Sequence, residues 1–312
     1  MQFLQYAFMQ RALLAAALVG ITAPAVGIYL VQRRQAIMGD GIGHVALTGV
    51  ALGFLLNTSP VWTAVTVSAL GAVAMEMIRE RGKARGDVAL AMLFYGGMAS
   101  GVLIINLAPG GSNANLNSYL FGSITTVSRS DLIAISVLAV AVATVTLGLR
   151  RQLFAICQDE EFARVTGLPV RWFNLLLAVT AAVTVTVAMR VVGLLLVSAL
   201  MVVPVAAVQQ ATRAFAVTQA AAAGVGVAVS LSGTVFSYYV DVPPGPSIVV
   251  LAIGVFLTVS VLAAPLARHR AADRPTATGH PEGTEPCEPL PRPRPGAGTA
   301  SAPADPATSQ SG

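Results

Sequence analysis

Asp40 and His44 are the residues whose types and spacing best suit chemistry. They stand four positions apart in the stretch GDGIGHVAL, at the start of an apolar segment, and His44 is the only histidine in the hydrophobic part of the chain. Residues i and i+4 lie on one face of an α-helix, so the carboxylate and the imidazole are expected to be neighbours. An oxygen and a nitrogen ligand together suit a divalent transition metal. The alternative interpretation is a helix-capping aspartate beside an interfacial histidine whose hydrogen bonds are satisfied.

The composition indicates the class of protein that positions this pair. Hydrophobic residues make up 55% of the 312 residues and charged residues 11%, against roughly 25% charged residues in soluble domains. We therefore predict an all-α, polytopic bundle of transmembrane helices in the lipid bilayer. The net charge of +5 comes from arginines that flank apolar runs. This pattern indicates membrane topology, and no nucleic-acid partner is expected.

Nine apolar runs are candidates for membrane spans by the length expected of a transmembrane helix. The second run is short, and the sixth and seventh are nearly fused, so the predicted count is eight if one run is re-entrant and nine otherwise. Together they predict a transmembrane domain over residues 1–267. The runs are Met9–Val31, Ile42–Leu56, Val61–Ile78, Val88–Ala108, Leu132–Leu149, Phe173–Met189, Val191–Gln209, Ala214–Tyr239 and Ile248–Leu266.

The basic residues predict the orientation of the chain. Placing the linker 32–39 in the cytoplasm puts most of them on that side and leaves only Arg11, Arg129 and Arg190 outside. Cytoplasmic loops of membrane proteins are rich in arginine and lysine. We therefore predict an N-terminus outside and a C-terminus in the cytoplasm. The two cysteines, Cys157 and Cys287, then both lie in the cytoplasm, where disulfides are rare.

A change of composition near residue 268 predicts a separate tail. Residues 268–312 are rich in proline, glycine, serine and threonine, and such a segment cannot bury enough apolar surface to order itself. We expect a disordered cytoplasmic tail. His280 and Cys287, with neighbouring acids, either form a weak metal-binding tract or are solvent-exposed residues that bind no metal.

The longest predicted cytoplasmic loop contains a short amphipathic helix pattern. Acidic residues stand in its first turn, Arg164 in its last turn, and Gly167 and Pro169 follow as terminators. Two interpretations are open. The helix is a docking site for a partner protein, or it is a surface helix that only connects the fifth and sixth spans.

Four segments of the chain, spread over roughly residues 9–267, resemble the zinc/manganese permease family of ATP-binding cassette importers. Each segment alone is a weak signal, and together they are specific. Glycines at 41 and 43 depart from the bulkier or hydroxylic residues that the family often has there. The matching segments are Gly39–Gly53 (an Asp-x-x-x-His block), Leu120–Ser123 (an outer-loop signature), Asp159–Pro169 with Asn174 (the coupling-helix region) and Val192–Pro204 (late paired helices), with a weaker match at Asp241–Ser247.

This resemblance implies an architecture similar to that of the vitamin B12-type importers, in the bacterial plasma membrane. It implies a homodimer with the metal pathway at its interface, a separate ATPase subunit on the cytoplasmic side and an extracellular metal-binding protein that delivers the ion. It places in-channel metal contacts at Asp40 and His44. It assigns coupling to the ATPase to Asp159, Glu160, Glu161, Phe162, Ala163, Arg164 and Gly167.

The sequence also indicates that the energy comes from another subunit. A phosphate-binding P-loop needs Gly-Lys-Ser/Thr, and the sole lysine, Lys83, is followed by Ala84. We therefore expect a transport subunit without an ATPase site of its own, and not an enzyme. No permanently bound cofactor is expected, because the metal is the cargo.

The expected cargo is zinc, with manganese or iron as alternatives. Two copies of Asp40 and His44 provide four nitrogen and oxygen ligands, which fit tetrahedral zinc, whereas manganese and ferrous iron prefer more oxygens or waters. Three acids at span ends, Glu76, Asp87 and Asp131, either line the ion route or are interfacial caps.

Two other classes of protein were compared with the importer. A secondary cation transporter typically has inverted repeats and several buried ionisable residues, but the Asp40/His44 block has no counterpart in the second half of the chain. An intramembrane metalloprotease is excluded, since no His-Glu-x-x-His motif occurs.

Overall fold

A computed structural model of the chain describes residues 6–80, 86–108, 118–123 and 128–272. Regular secondary structure within these ranges is helical throughout, which confirms the predicted all-α fold. The helices are α1 (Ala7–Gln32), α2 (Met38–Leu55), α3 (Pro60–Glu80), α4 (Gly86–Leu107), α5 (Arg129–Gly148), α6 (Arg150–Gln158), α7 (Glu160–Val165), α8 (Val170–Met189), α9 (Leu194–Gln209), α10 (Phe215–Val240) and α11 (Pro244–Ala272).

The number of long helices agrees with the predicted count of membrane spans. In the part of the chain that the structure describes, 8 helices are long and apolar enough to cross a membrane, and α9 is an additional, shorter apolar helix. Gly193, with φ of 93°, separates α8 from α9 in the run that appeared nearly fused in the sequence. Helix α2 begins at Met38, ahead of the predicted start at Ile42, so it includes both Asp40 and His44.

Helix α1 is the centre of one side of the bundle, and α2 is the centre of the other. Helix α1 contacts α5, α8, α9 and α10, whereas α2 contacts α3, α4, α8 and α9. A side chain on Gly20 of α1 would lie 2.8 Å from the carbonyl oxygen of Gly226 in α10. Small residues that allow such close approach are typical of helix packing in membranes.

The short amphipathic helix predicted in the longest loop is α7, with Glu160 and Glu161 in its first turn and Arg164 in its last turn, and a second short helix, α6, precedes it. Asp159 separates the two helices with an extended backbone, and its carboxylate accepts a hydrogen bond from the Phe162 N–H at 2.9 Å. Ile156, Ala163 and Val170 form a small hydrophobic cluster that holds α7 against the first turn of α8. The sequence pattern therefore marked the helix correctly, and Asp159 is its N-cap.

The last helix, α11, continues past residue 267 to Ala272. Alanine, leucine and arginine in this stretch favour helix over the disordered state. Residues 273–312 lie outside the described residues, so the disordered tail stays a prediction. The tract containing His280 and Cys287 also lies outside them.

Candidate metal site and coupling region

Asp40 lies in the first turn of α2, but it does not cap the helix. The N-cap is Ile37, which makes no side-chain capping bond. The Asp40 carboxylate instead accepts a hydrogen bond from the Ser198 hydroxyl of α9, with 2.6 Å between the two oxygens. The carboxylate is therefore oriented by a residue of a different helix. A capping aspartate would instead bond to backbone N–H groups of its own helix.

His44 is buried, with 6% of its surface exposed. Its ring packs edge-on against Phe94 of α4, with 4.4 Å between the ring centroids. Its Nδ1 atom is buried and has no hydrogen-bond partner among the described residues. Buried polar atoms nearly always have a partner, and the described residues do not supply one for this nitrogen. An unpaired ring nitrogen is available to bind a metal ion.

The contacts around the pair place it within the membrane-spanning part of the bundle. Gly20 and Gly226, which pack together, lie near the middles of α1 and α10. Gly27, about 10 Å further along α1, packs against the backbone of Met201. A side chain on Gly39 would lie 3.6 Å from Ser198 Cβ and 3.7 Å from Met201 Sδ. Asp40 is thus displaced from the middle of the bundle toward the end that carries α7. An acid at this depth is costly unless it has a partner or a cation.

Glycines let neighbouring helices approach the pair closely. A side chain on Gly97 of α4 would lie 2.9 Å from the carbonyl carbon of His44. Gly43, one of the two departures from the family pattern, packs under the side chain of Leu194 in α9. A larger residue at 43 would therefore require the Leu194 side chain to move.

The described residues of one copy supply an incomplete set of metal ligands. In the described residues, no group of three or more His, Cys, Asp or Glu side chains is placed to hold a metal ion. Structural zinc sites take four protein ligands. Asp40 and His44 alone therefore require ligands from another molecule, from water or from the Ser198 hydroxyl.

Ser198 was not identified from the sequence. It is a single polar residue in the apolar run of α9, and it lies 158 positions from Asp40. The signal that could have found it is its place inside the family segment Val192–Pro204, combined with its polarity. The distance along the chain gave no reason to connect it with Asp40.

The predicted coupling residues have different surroundings. Asp159 caps α7 and Ala163 is buried, while Phe162 is 65% exposed and Val165 is 87% exposed. Gly167 ends the segment in the left-handed region, with φ of 84°. Glu160 contacts both Arg33 and Arg164, and Glu161 is exposed. Helix α7 thus presents an apolar surface at the end of the molecule where the arginine residues are concentrated.

Two of the three predicted pathway acids are paired with arginine. Glu76 is 2% exposed and accepts two hydrogen bonds from Arg79, at 2.5 and 3.0 Å. Asp131 forms a capping box with Ser128 and accepts a hydrogen bond from Arg190 at 2.6 Å. Their role in an ion route stays a prediction. Asp87 lies in the first turn of α4, and its side chain is outside the described residues.

Arg190 fixes the opposite end of the bundle from α7. It follows the last residue of α8 and donates a hydrogen bond to the Tyr119 hydroxyl at 2.7 Å in addition to its bond to Asp131. Burial opposes its charged form, but Tyr119 and Asp131 together raise the pKa of Arg190 above its ordinary value. The arginine therefore remains charged and ties the turn 118–121 to α5 and α8.

We expect Glu76→Gln to lower stability without stopping transport. The change leaves the Arg79 guanidinium without its counter-charge, which costs about 1–3 kcal/mol. The midpoint of thermal unfolding of the purified protein should fall, while metal uptake per folded molecule stays at the wild-type value. Loss of uptake at an unchanged unfolding midpoint would instead place Glu76 on the ion route.

Comparison with known proteins gives consistent matches along the chain. The profile of the ABC 3 transport family matches residues 5–263. The chain is 37% identical over 264 residues to the "Probable metal transport system membrane protein" of Treponema pallidum, covering 82% of this chain and 97% of that protein. It is 32% identical over 255 residues to the "Manganese transport system membrane protein MntC" of Halalkalibacterium halodurans, covering 82% and 87%. A solved structure, "PsaBC from Streptococcus pneumoniae in complex with Fab", is similar with a TM-score of 0.76 and 29% identity, covering 83% of this chain and 92% of that chain.

Proposed function

Because the chain belongs to the ABC 3 transport family, and is thus the permease of a metal importer, we propose that it carries a divalent first-row metal ion past Asp40 and His44. The observation that supports this most is the buried pair on α2. Asp40 is oriented by Ser198, and the Nδ1 atom of His44 is unpaired. Family membership counts against the alternative of a secondary cation transporter.

We propose manganese as the first cargo and zinc as the second. The relative MntC, named for manganese transport, is 32% identical to the chain. The Ser198 hydroxyl beside Asp40 adds a second oxygen, and manganese prefers oxygen ligands. Zinc is the ion that the sequence predicted, and the unpaired nitrogen of His44 favours it.

The homodimer is part of this proposal. A twofold axis is the commonest symmetry of soluble homo-oligomers, and here it would join two Asp40 carboxylates to two His44 imidazoles. The incomplete ligand set of a single copy supports this arrangement. A transport site must also release its ion, so few ligands from each copy suit the task.

The energy source and the ion supply are separate subunits in this proposal. An ATPase subunit docks on α7 from the cytoplasm, where Phe162 and Val165 are exposed. A metal-binding protein delivers the ion at the opposite, extracellular end, near Arg190. Movement of the docked ATPase then switches the bundle between outward and inward access. The N-terminus is outside and the C-terminus is in the cytoplasm.

Metal accumulation tests the proposal directly. Cells that lack the protein, and the same cells supplied with it together with its ATPase and binding subunits, would be incubated with manganese, zinc and iron at equal low concentrations. We expect the complemented cells to accumulate manganese above the level of the deletion strain, as measured by elemental mass spectrometry. Accumulation of zinc alone would make zinc the cargo. Equal levels of all three metals in both strains would contradict the proposed function.

A further inference from the structure

We infer that Arg33 is a positioning residue that transmits movement of α7 to the metal-binding start of α2. The inference rests on the proposed function, since it assigns to the importer a route from the ATPase docking surface to the ion site. Three observations carry it: a buried polar cluster at Arg33, a short hydrogen-bonded turn that leads from Arg33 to Asp40, and the position of Glu160 behind the exposed surface of α7.

The polar cluster joins three helices at the inner end of the bundle. The Arg33 side chain is 7% exposed, and its Nη2 atom donates to Asn174 Oδ1 at 2.6 Å. The same Nη2 atom lies 3.4 Å from Glu160 Oε2. Asn174, which is 3% exposed, donates to Glu160 Oε1 at 3.4 Å. The end of α1, the first turn of α7 and the start of α8 thus share one charge-assisted network.

The turn after Arg33 connects this network to the metal site. Arg33 is the residue at which α1 ends, and Arg34 follows in the left-handed region with φ of 57°. The Gln35 N–H donates to the Leu30 carbonyl at 2.8 Å, and the Met38 N–H donates to the Gln35 carbonyl at 3.0 Å. Successive backbone hydrogen bonds make the turn a short, stiff connector. A displacement of Arg33 is therefore carried into the first turn of α2, which contains Asp40.

Glu160 links the exposed surface of α7 to Arg33, so it can pass a movement of α7 to α1. It is the first residue of α7, two positions before Phe162, whose side chain is 65% exposed. A partner that pushes on Phe162 moves α7 as a body, because α7 has only 6 residues. The cluster around Ala163 and the polar contacts of Glu160 join it to its neighbours. The ion pair with Glu160 then moves Arg33 together with α7. Rigid elements joined by polar contacts are the physical means by which such coupling travels.

A merely structural role for Arg33 predicts a different outcome. If the cluster only holds α7 to the bundle, loss of the arginine charge should lower the unfolding midpoint and reduce ATP hydrolysis and metal uptake in parallel. If Arg33 transmits movement, the ATPase should continue to hydrolyse ATP while fewer ions are carried per ATP. The ratio of metal uptake to ATP hydrolysis therefore separates the two roles.

The test uses the complete importer in proteoliposomes, with manganese as the probe. We expect Arg33→Gln to lower the ratio of manganese uptake to ATP hydrolysis at least fivefold, with the dissociation constant for manganese at the permease unchanged. Glu160→Gln should have the same effect, and because Glu160 is 36% exposed, this variant tests the link if Arg33→Gln does not fold. The matched control is Arg171→Gln, which removes an arginine that pairs with Glu80 at 3.0 Å at the same end of the bundle.

The outcomes distinguish this inference from the proposed function. A wild-type importer that carries neither manganese nor zinc contradicts the proposed function itself. A working wild-type importer whose Arg33→Gln and Glu160→Gln variants keep the wild-type ratio overturns the inference alone. Equal loss of the ratio in Arg171→Gln also overturns it, because the effect would then come from any lost ion pair at this end.

Discussion

We expect Asp40→Asn to abolish metal uptake in a protein that still reaches the membrane in normal amounts. Asparagine has nearly the same shape as aspartate and keeps an oxygen that can accept the hydrogen bond from Ser198. Only the negative charge that offsets the loss of water from the ion is removed. Uptake should fall by more than about 100-fold, because even outer-shell partners of a metal ligand are worth about 10- to 100-fold.

The measurement is the initial rate of radioactive manganese uptake per molecule of permease in the membrane. Asp241→Asn is the matched control, because Asp241 is exposed, lies at the end of α10 and has φ of 55°. Asparagine tolerates this backbone conformation, so the control removes the same charge at a site away from the pair. Wild-type uptake by a well-expressed Asp40→Asn protein would reject the metal-pathway assignment.

His44→Ala extends the same prediction to the second ligand. Removing the imidazole should also abolish uptake, and the double variant should be little worse than either single one. Residues that act as one unit have non-additive effects. If the two residues had independent structural roles, the loss of uptake in the double variant would be the product of the losses in the two single variants.

The sequence predicted the part of the site that depends on local spacing. Asp40 and His44 are four residues apart, and helix geometry alone places them on one face. Ser198 was missed because its contact with Asp40 spans 158 positions. The pairing of Glu76 with Arg79, three positions away, could be read from the sequence, whereas the pairing of Asp131 with Arg190 depends on how distant helices pack.

The sequence predicted those parts of the fold that depend on hydrophobicity alone, which are the membrane-spanning helices. Long apolar runs identified the spans, since the bilayer sets the length of a helix. The apolar run was placed from Ile42, four residues after the observed start of α2 at Met38, because polar Asp40 and the glycines at 39 and 41 interrupt the hydrophobic sequence there. These glycines also have low helix propensity. Packing overrides that propensity, as Gly43 fits beneath Leu194 and Gly97 approaches the His44 backbone. The sequence left the count at eight or nine because the second run is short and the sixth and seventh are nearly fused, and the described residues have 8 long apolar helices with α9 as a shorter one.

A second large effect is expected at the proposed docking surface of the ATPase. Phe162→Glu should lower the affinity of the permease for its ATPase subunit by about 30-fold, which corresponds to the roughly 2 kcal/mol typical of an aromatic hot spot. The Phe162 side chain is 65% exposed, and its backbone N–H, rather than its ring, bonds to Asp159. The fold of α7 should therefore persist, and manganese should still bind at Asp40 and His44.

The affinity would be measured between the purified permease and its ATPase subunit, with uptake in proteoliposomes recorded in parallel. Leu56→Glu is the matched control, because Leu56 is 62% exposed and directly follows the C-terminal end of α2. It introduces the same charge at the end of the bundle that faces away from the ATPase, so binding should be unchanged. If Phe162→Glu binds the ATPase as tightly as the wild type does, then α7 is a surface connector between α6 and α8, and the docking surface must be sought elsewhere at the cytoplasmic end.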